Sequence, residues 1–213
     1  MRFKTLLFDL DGTLTNPADG FTRCIAHALE TVGLPAVPRP RLENCIGPPL
    51  EDTFRELGAL PDQVDPLVEA YRDRYRETGI FENVLYPSIP NALESLQSEG
   101  YILHVATSKP AVFAERILEH FDIRSFFTHV FGSNLDGTLA HKRDLLIRAR
   151  ERAGFDVEHA AMIGDRRYDM EAACELGLHP VGVRWGYGSR EELVSSGAAA
   201  LVDDPGDLLE TLR

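Results

Sequence analysis

The sequence predicts an α/β protein: a parallel sheet covered by helices on both faces, interrupted after its first strand by a helical insertion. Three observations carry this. From about residue 88 onward, short apolar runs of strand length alternate with helical patterns. Strands buried on both faces read as continuous apolar runs, and alternation with helices makes their sheet parallel. The first apolar run, Leu6-Leu7-Phe8, stands apart from the others, followed by a stretch of helical patterns with no strand. Finally, polar motifs come directly after several of these runs, where a parallel sheet binds its ligands.

The elements follow in order. Leu6-Leu7-Phe8 is too short for a helix and reads as a buried strand. Residues 21–32 place Ile25, Ala28, Leu29 and Val32 at helical spacing, and Gly33 closes the helix. Pro35, Pro38 and Pro40 then break the chain, and residues 50–57 and 64–75 read as amphipathic helices. Gly79 and Tyr86-Pro87 end this block. Helix 89–97 precedes strand 102–106, helix 112–120 precedes strand 128–131, and helix 143–153 precedes strand 160–163. Helix 168–176 leads to strand 180–183, and helix 190–195, a short strand near Leu201 and helix 206–212 complete the chain. The α/β core is expected over 1–14 and 84–213, and the helical insertion over 15–83.

Composition excludes several function classes. With 213 residues, 44% of them hydrophobic, a sizeable core can form in one large domain or two small ones. No stretch approaches the ~20 apolar residues of a membrane span. Met1-Arg2-Phe3-Lys4 meets an acidic motif within a few residues, so no secretory leader is expected. Cys24, Cys45 and Cys174 are scattered and odd in number, which suits reduced thiols in a cytoplasm and offers no zinc pair. A net charge of -12 argues against a nucleic-acid polymer, for want of a basic surplus to displace counterions. A small anionic substrate remains compatible, because local positive charge can outweigh the global sign. The lysines are only Lys4, Lys109 and Lys142, so a lysine in a loop hints at a need for a compact ammonium. Oligomeric state is left open.

The first motif is Asp9-Leu10-Asp11-Gly12-Thr13, at the end of the first strand. Side chains two apart on an extended chain point the same way, so Asp9 and Asp11 present two carboxylates to one space. Gly12 allows a sharp turn beside whatever they hold. A calcium loop would need further acidic positions, which Thr13, Thr15 and Pro17 do not supply. A plain Asp-Gly turn leaves the buried strand unexplained. The reading is a phosphoryl-transfer site.

Three further motifs join it. Thr107-Ser108, after the second core strand and before a helix, offers a hydroxyl and backbone N–H groups to a phosphate, although such residues also serve as ordinary caps. Lys142 opens a helix, against the helix dipole, which a role neutralising a nucleophile and a phosphoryl group would offset; a surface lysine fits the residue alone as well. Asp165 and Asp169 in Gly164-Asp165-Arg166-Arg167-Tyr168-Asp169 lie one turn apart after a buried strand, an oxygen site for a hard cation or an acidic helix cap. Asn134-Leu135-Asp136-Gly137-Thr138 nearly repeats the first motif with Asn in place of the first acid. It has no strand running straight into it and reads as a polar turn.

Taken together, Asp9-x-Asp11-Gly12-Thr13, Thr107, Lys142 and Gly164-Asp165-x-x-x-Asp169 resemble, in order and placement, the four motifs of the haloacid dehalogenase-like hydrolases. The resemblance covers the whole chain. The insertion is similar to the small cap of the phosphoglycolate phosphatase and β-phosphoglucomutase branch. Phe131-Gly132-Ser133 and Ile163-Gly164-Asp165-Arg166 look most like bacterial phosphoglycolate phosphatases or 5'-nucleotidases. The resemblance implies a Rossmann-like core with an inserted helical cap, and a cytoplasmic, Mg2+-dependent phosphatase acting on a small phosphate ester. It further implies Asp9 as nucleophile and Asp11 as acid and base. Mg2+ would sit on Asp9, the Asp11 carbonyl and Asp165, with Asp169 on a metal water or orienting Lys142. Gly12, Thr107, Ser108 and Lys142 would hold the phosphoryl group.

Substrate choice is expected in the insertion. The stiff turn Ile46-Gly47-Pro48-Pro49-Leu50 resembles the loop that faces the site in that branch, and Arg23 and Arg72 are candidate anion ligands, with Arg76 on the same face as Arg72. A solvated charged face is the more ordinary explanation of Arg72 and Arg76. Three rival functions stay open: a sugar phosphomutase, a haloacid dehalogenase, and a non-catalytic binding protein on the same scaffold. The Trp185-Gly186-Tyr187-Gly188 loop is read as a connection to the next helix rather than a gate.

Overall fold

The structure, a computed structural model, describes residues 3–213, so Met1 and Arg2 of the expected N-terminal reading lie outside it. It divides into two compact units: one runs up to Asn16 and resumes over Leu85–Arg213, and the other is Pro17–Val84.

The first unit is built on a six-stranded parallel sheet. Its strands are β1 (Thr5–Phe8), β4 (Ile102–Pro110), β5 (His129–Ser133), β6 (Ala160–Gly164), β7 (His179–Val183) and β8 (Ala200–Val202), in the order β5-β4-β1-β6-β7-β8. Short strands β2 (Thr15–Asn16) and β3 (Val84–Leu85), which the sequence patterns do not announce, form a separate two-stranded sheet. Helices α5 (Ile89–Ser98), α6 (Ala111–His120), α7 (Lys142–Ala153), α8 (Arg167–Leu176), α9 (Arg190–Ser195) and α10 (Leu208–Leu212) alternate with the sheet strands. All of the sheet's pairings are parallel, as alternation with helices requires.

β1 lies at the centre because its residues can be buried on both faces: Leu6, Leu7 and Phe8 are wholly inaccessible. Leu7 packs with Ala106 and Met162 of the neighbouring strands and with Leu145 and Leu146 of α7. The strand order reverses beside β1, and ligands of such sheets bind at the strands' carboxyl ends at that point. Phe8 stands opposite Val105 of β4 and Ile163 of β6, so three strands deliver their motifs at one level.

The second unit is helical, with α1 (Ala18–Val32), α2 (Arg39–Glu43), α3 (Leu50–Glu56) and α4 (Pro61–Glu77). Gly33 ends α1 in the left-handed conformation, as its position predicts. Tyr71 stacks on Tyr75 with ring centroids 5.3 Å apart, and Phe21 meets Tyr71 edge-on. One proline behaves differently from expectation. Pro40 lies inside the first turn of α2 instead of breaking the chain, because the first N–H groups of a helix have no intrahelical partner to lose. Pro66 sits inside α4, which runs from Pro61 past both expected ends. Among the described residues no helix is long and apolar enough to cross a membrane.

Candidate active site

Asp9 is the first residue after β1, and its N–H still donates to the Ile163 carbonyl of β6 at 2.9 Å. The Asp9 carboxylate is buried, with Oδ1 accepting from the Leu10 N–H at 2.8 Å. The chain then turns at Gly12, whose φ of 84° lies in the left-handed region. A Cβ there would also come within 2.2 Å of Asp165 Oδ2, so both conformation and space require glycine.

Lys142, the first residue of α7, is likewise buried. Its ammonium lies 3.0 Å from Asp9 Oδ1 and 2.8 Å from Asp169 Oδ1, and donates to the Ala106 carbonyl at 2.8 Å. Burial opposes the lysine charge, yet the Asp169 and Asp9 carboxylates outweigh it and lift its pKa above the ordinary value. Asp165 follows β6 directly. Asp169 lies one turn on, in α8, where Oδ2 accepts from the Arg166 N–H at 3.2 Å.

Ligand oxygens of Asp9, Asp165 and Asp169 fall within 4.8 Å of one another, all three buried. Burial, then Asp169 and Asp9, push the Asp165 carboxyl well above the carboxylate range. Burial raises Asp169 too, against the opposing charge of Lys142. Like charges so close and so dry are costly unless a cation cancels them. An all-carboxylate donor set suits a hard divalent ion such as Mg2+, and these residues fit one.

The Asp11 carboxylate is outside that trio. It turns to Lys109, whose Nζ lies 2.6 Å from Asp11 Oδ2, both side chains largely buried. Burial raises the Asp11 pKa, and the Lys109 ammonium opposes the rise. Thr107 is buried on β4, and its Oγ1 accepts from the Lys109 N–H at 3.3 Å. β4 does not stop before Thr107 as expected but continues through Ser108 to Pro110.

Three contributors escaped the sequence reading. Lys109 stood out as one of three lysines, yet was not assigned to the site. Tyr86 has its pKa raised by burial and by the charges of Asp165 and Asp11. The Trp185–Gly188 loop, read as a mere connection, is bound into the site instead. Trp185 Nε1 donates to the Thr13 carbonyl at 2.9 Å, and the Tyr187 N–H to Asp165 Oδ2 at 2.8 Å. Gly186 is so close that a Cβ would lie 2.4 Å from the Gly12 carbonyl oxygen. The available signal was its position after β7, at the end of the sheet where ligands bind.

The near-repeat at Asn134 needs one correction: β5 runs straight into it, ending at Ser133. Its polar groups are nevertheless spent on each other, Asn134 Nδ2 donating to Thr138 Oγ1 and the Thr138 N–H to Asp136 Oδ1. In the helical unit, Arg23 pairs with Glu82 at 2.7 Å and with Asp19 at 3.7 Å, Arg72 with Glu51 at 3.6 Å, and Arg76 with Asp73 at 3.2 Å. Gly47, with a φ of 122°, and Pro48 form the turn between α2 and α3. The cationic side chains expected to select substrate are thus already matched by carboxylates of their own unit.

Residues 6–183 match the family described as haloacid dehalogenase-like hydrolase. The chain belongs to that family. This hydrolase is 42% identical over 194 residues to a 5'-nucleotidase of Pseudomonas aeruginosa, covering 91% of this chain and 88% of the relative. It is 37% identical to the tyrosine-protein kinase PtkA of Mycobacterium tuberculosis over 87% of this chain, but spans only 63% of that protein. Its fold superposes on a crystal structure described as a predicted phosphatase of Clostridium acetobutylicum with a TM-score of 0.96, 38% identity, and 100% and 99% of the two chains covered.

Proposed function

We propose that this hydrolase is a Mg2+-dependent phosphomonoesterase that works through an aspartyl-phosphate on Asp9, its substrate phosphoglycolate or a nucleoside 5'-monophosphate. The observation that carries this is the Asp9 carboxylate, buried, ion-paired to Lys142 and within one cation's reach of Asp165 and Asp169. A structural ion pair would not need a second and third buried carboxylate beside it.

Asp9 attacks phosphorus, the ester P–O bond breaks, and Asp11 gives its proton to the departing oxygen. Asp11 then takes a proton from the water that attacks the phospho-aspartate, and inorganic phosphate leaves. Lys142, Thr107 and the Ser108 N–H hold the transferring group, with Gly12 leaving room beside it. Bound Mg2+, held by Asp9, the Asp11 carbonyl and Asp165, would offset the repulsion between carboxylate and phosphate dianion. Asp169 fixes Lys142. We assign substrate selection to the helical insertion acting as a cap. Cysteines outside any disulfide and the charge of -12 support a cytoplasmic enzyme without a nucleic-acid polymer as partner.

The test is phosphate release from a panel of 2-phosphoglycolate, nucleoside 5'-monophosphates, sugar phosphates and pyrophosphate, with Mg2+ and then with chelator. Metal-dependent release is expected, and Asp9→Asn should abolish it while circular dichroism stays unchanged. Near-normal release by that variant would remove the covalent mechanism. Silence across the whole panel would shift the reading to phosphoryl transfer onto another acceptor, or to binding alone.

A further inference from the structure

Lys109 has no part in the mechanism above, yet the fold goes to some length to place it. β4 and β5 pair Thr107 with Gly132 and next pair Pro110 with Ser133. Ser108 and Lys109 are therefore two extra residues on β4 with no counterparts opposite, a bulge that takes them out of the ladder. Such bulges re-aim side chains next to functional sites. This one is pinned from β5: Ser133 Oγ donates to the Ser108 carbonyl at 2.8 Å. At Gly132 a Cβ would lie 2.7 Å from the Lys109 carbonyl oxygen and 2.6 Å from the Ala111 nitrogen, so any other residue would push the bulge out of place.

The bulge brings the Lys109 ammonium to one oxygen of Asp11. Oδ2 is engaged at 2.6 Å, whereas Oδ1 is buried and has no hydrogen-bond partner among the described residues. A buried carboxylate oxygen without a partner is expensive, so its presence points to a partner that arrives from outside the chain. An ammonium has donors only and cannot accept a proton carried on Oδ2. The oxygen left to exchange a proton is Oδ1.

We propose that Lys109 is the positioning residue of Asp11: by engaging Oδ2 from the β4 bulge it holds the carboxyl so that Oδ1 meets the leaving oxygen of the substrate. This rests on the phosphomonoesterase reading. Lys109 touches Asp11 and acts through it, while Lys142 keeps the separate task of pairing the nucleophile.

The two roles part company when the leaving group changes. An aryl ester such as p-nitrophenyl phosphate needs little help from an acid, and an alkyl ester needs much. In kcat/KM, which reports the steps up to departure of the leaving group, K109M should lose about 100-fold on the best alkyl ester of the panel. On p-nitrophenyl phosphate the loss should stay within about fivefold, because only acid assistance has been disturbed. K109R, which restores a cation at Oδ2, should recover much of the difference. K109Q, which keeps a polar side chain, guards against a K109M variant that fails to fold, as judged by thermal unfolding.

Equal losses on both esters in the folded variants would overturn the proposal, since they would put Lys109 on the phosphoryl group or in the framework. A raised KM with kcat unchanged would overturn it too, as a substrate ligand behaves that way. Wild-type protein inactive on both esters would instead remove the phosphomonoesterase reading itself, and the role of Lys109 with it.

Discussion

His104 shows how a single side chain sets the protein's response to acid. It lies on β4, buried, 5.1 Å from the His129 ring and edge-on to Phe131. Burial, with the neighbouring His129, lowers its pKa from 6.5 to about 4. Below pH 6.5 the unfolded chain therefore takes a proton at this residue that the folded chain refuses until about pH 4. The stability that neutral His104 contributes is complete above pH 6.5 and is lost as pH falls through that window. His104→Phe should flatten this part of the pH dependence, measured by urea unfolding at pH 7 and pH 4.5; an unchanged difference between those pH values would show that His104 titrates normally. Sequence reading reaches some residues and not others for a related reason. Asp9, Asp165 and Asp169 are legible because their spacing from the end of an apolar run fixes where they point, whereas the Asp11 carboxylate, expected to share the space of Asp9, turns instead to Lys109. Lys109 and Trp185 are not legible, because each acquires its role from a partner far away in sequence, Asp11 and Thr13 respectively.

Among the elements, β1 is the one on which the site depends most. Its burial on both faces holds Asp9 between β4 and β6, with Leu7 set among Ala106, Met162, Leu145 and Leu146. Leu7→Ala would leave a cavity in that close-packed cluster and cost about 2–5 kcal/mol, read as a lower urea midpoint with an unchanged slope. A cost under 1 kcal/mol would mean that the sheet collapses readily around the gap. The order of the six sheet strands and of the helices between them was legible, since their apolar runs and helical spacing are long enough to read. Ends were less so. The polar Thr107-Ser108-Lys109-Pro110 reads as the stop of β4, but pairing with β5 extends the strand through it. Likewise Pro40 reads as a breaker until its place in a first turn is seen. β2 and β3, at two residues each, are too short to leave any periodicity.

For the molecule as a whole, one cost is the crowd of buried negative charge at the sheet's carboxyl edge in a chain that is already acidic. A cation that binds the folded state and not the unfolded one shifts the balance by mass action. Mg2+ at about 100 times its Kd should add about 2.7 kcal/mol, a rise in Tm on the order of 5–10 °C for a chain of this size. Asp165→Asn should remove most of that rise, and chelator should reverse it in the wild type. A Tm indifferent to Mg2+ in the wild type would argue against a metal at these carboxylates. The inserted helical unit was visible as a break in the alternation of strand and helix, but substrate choice was not, because Arg23 and Arg72 find acidic neighbours within their own unit.

Trp185 is the chain's sole tryptophan, and its indole N–H is tied to the Thr13 carbonyl, one residue beyond Gly12 and its close approach to Asp165. The protein therefore carries its own optical reporter at the acidic cluster. Emission excited at the indole comes from this one place, undiluted by any second tryptophan, so ligand arrival can be followed in the unlabelled, unmodified enzyme.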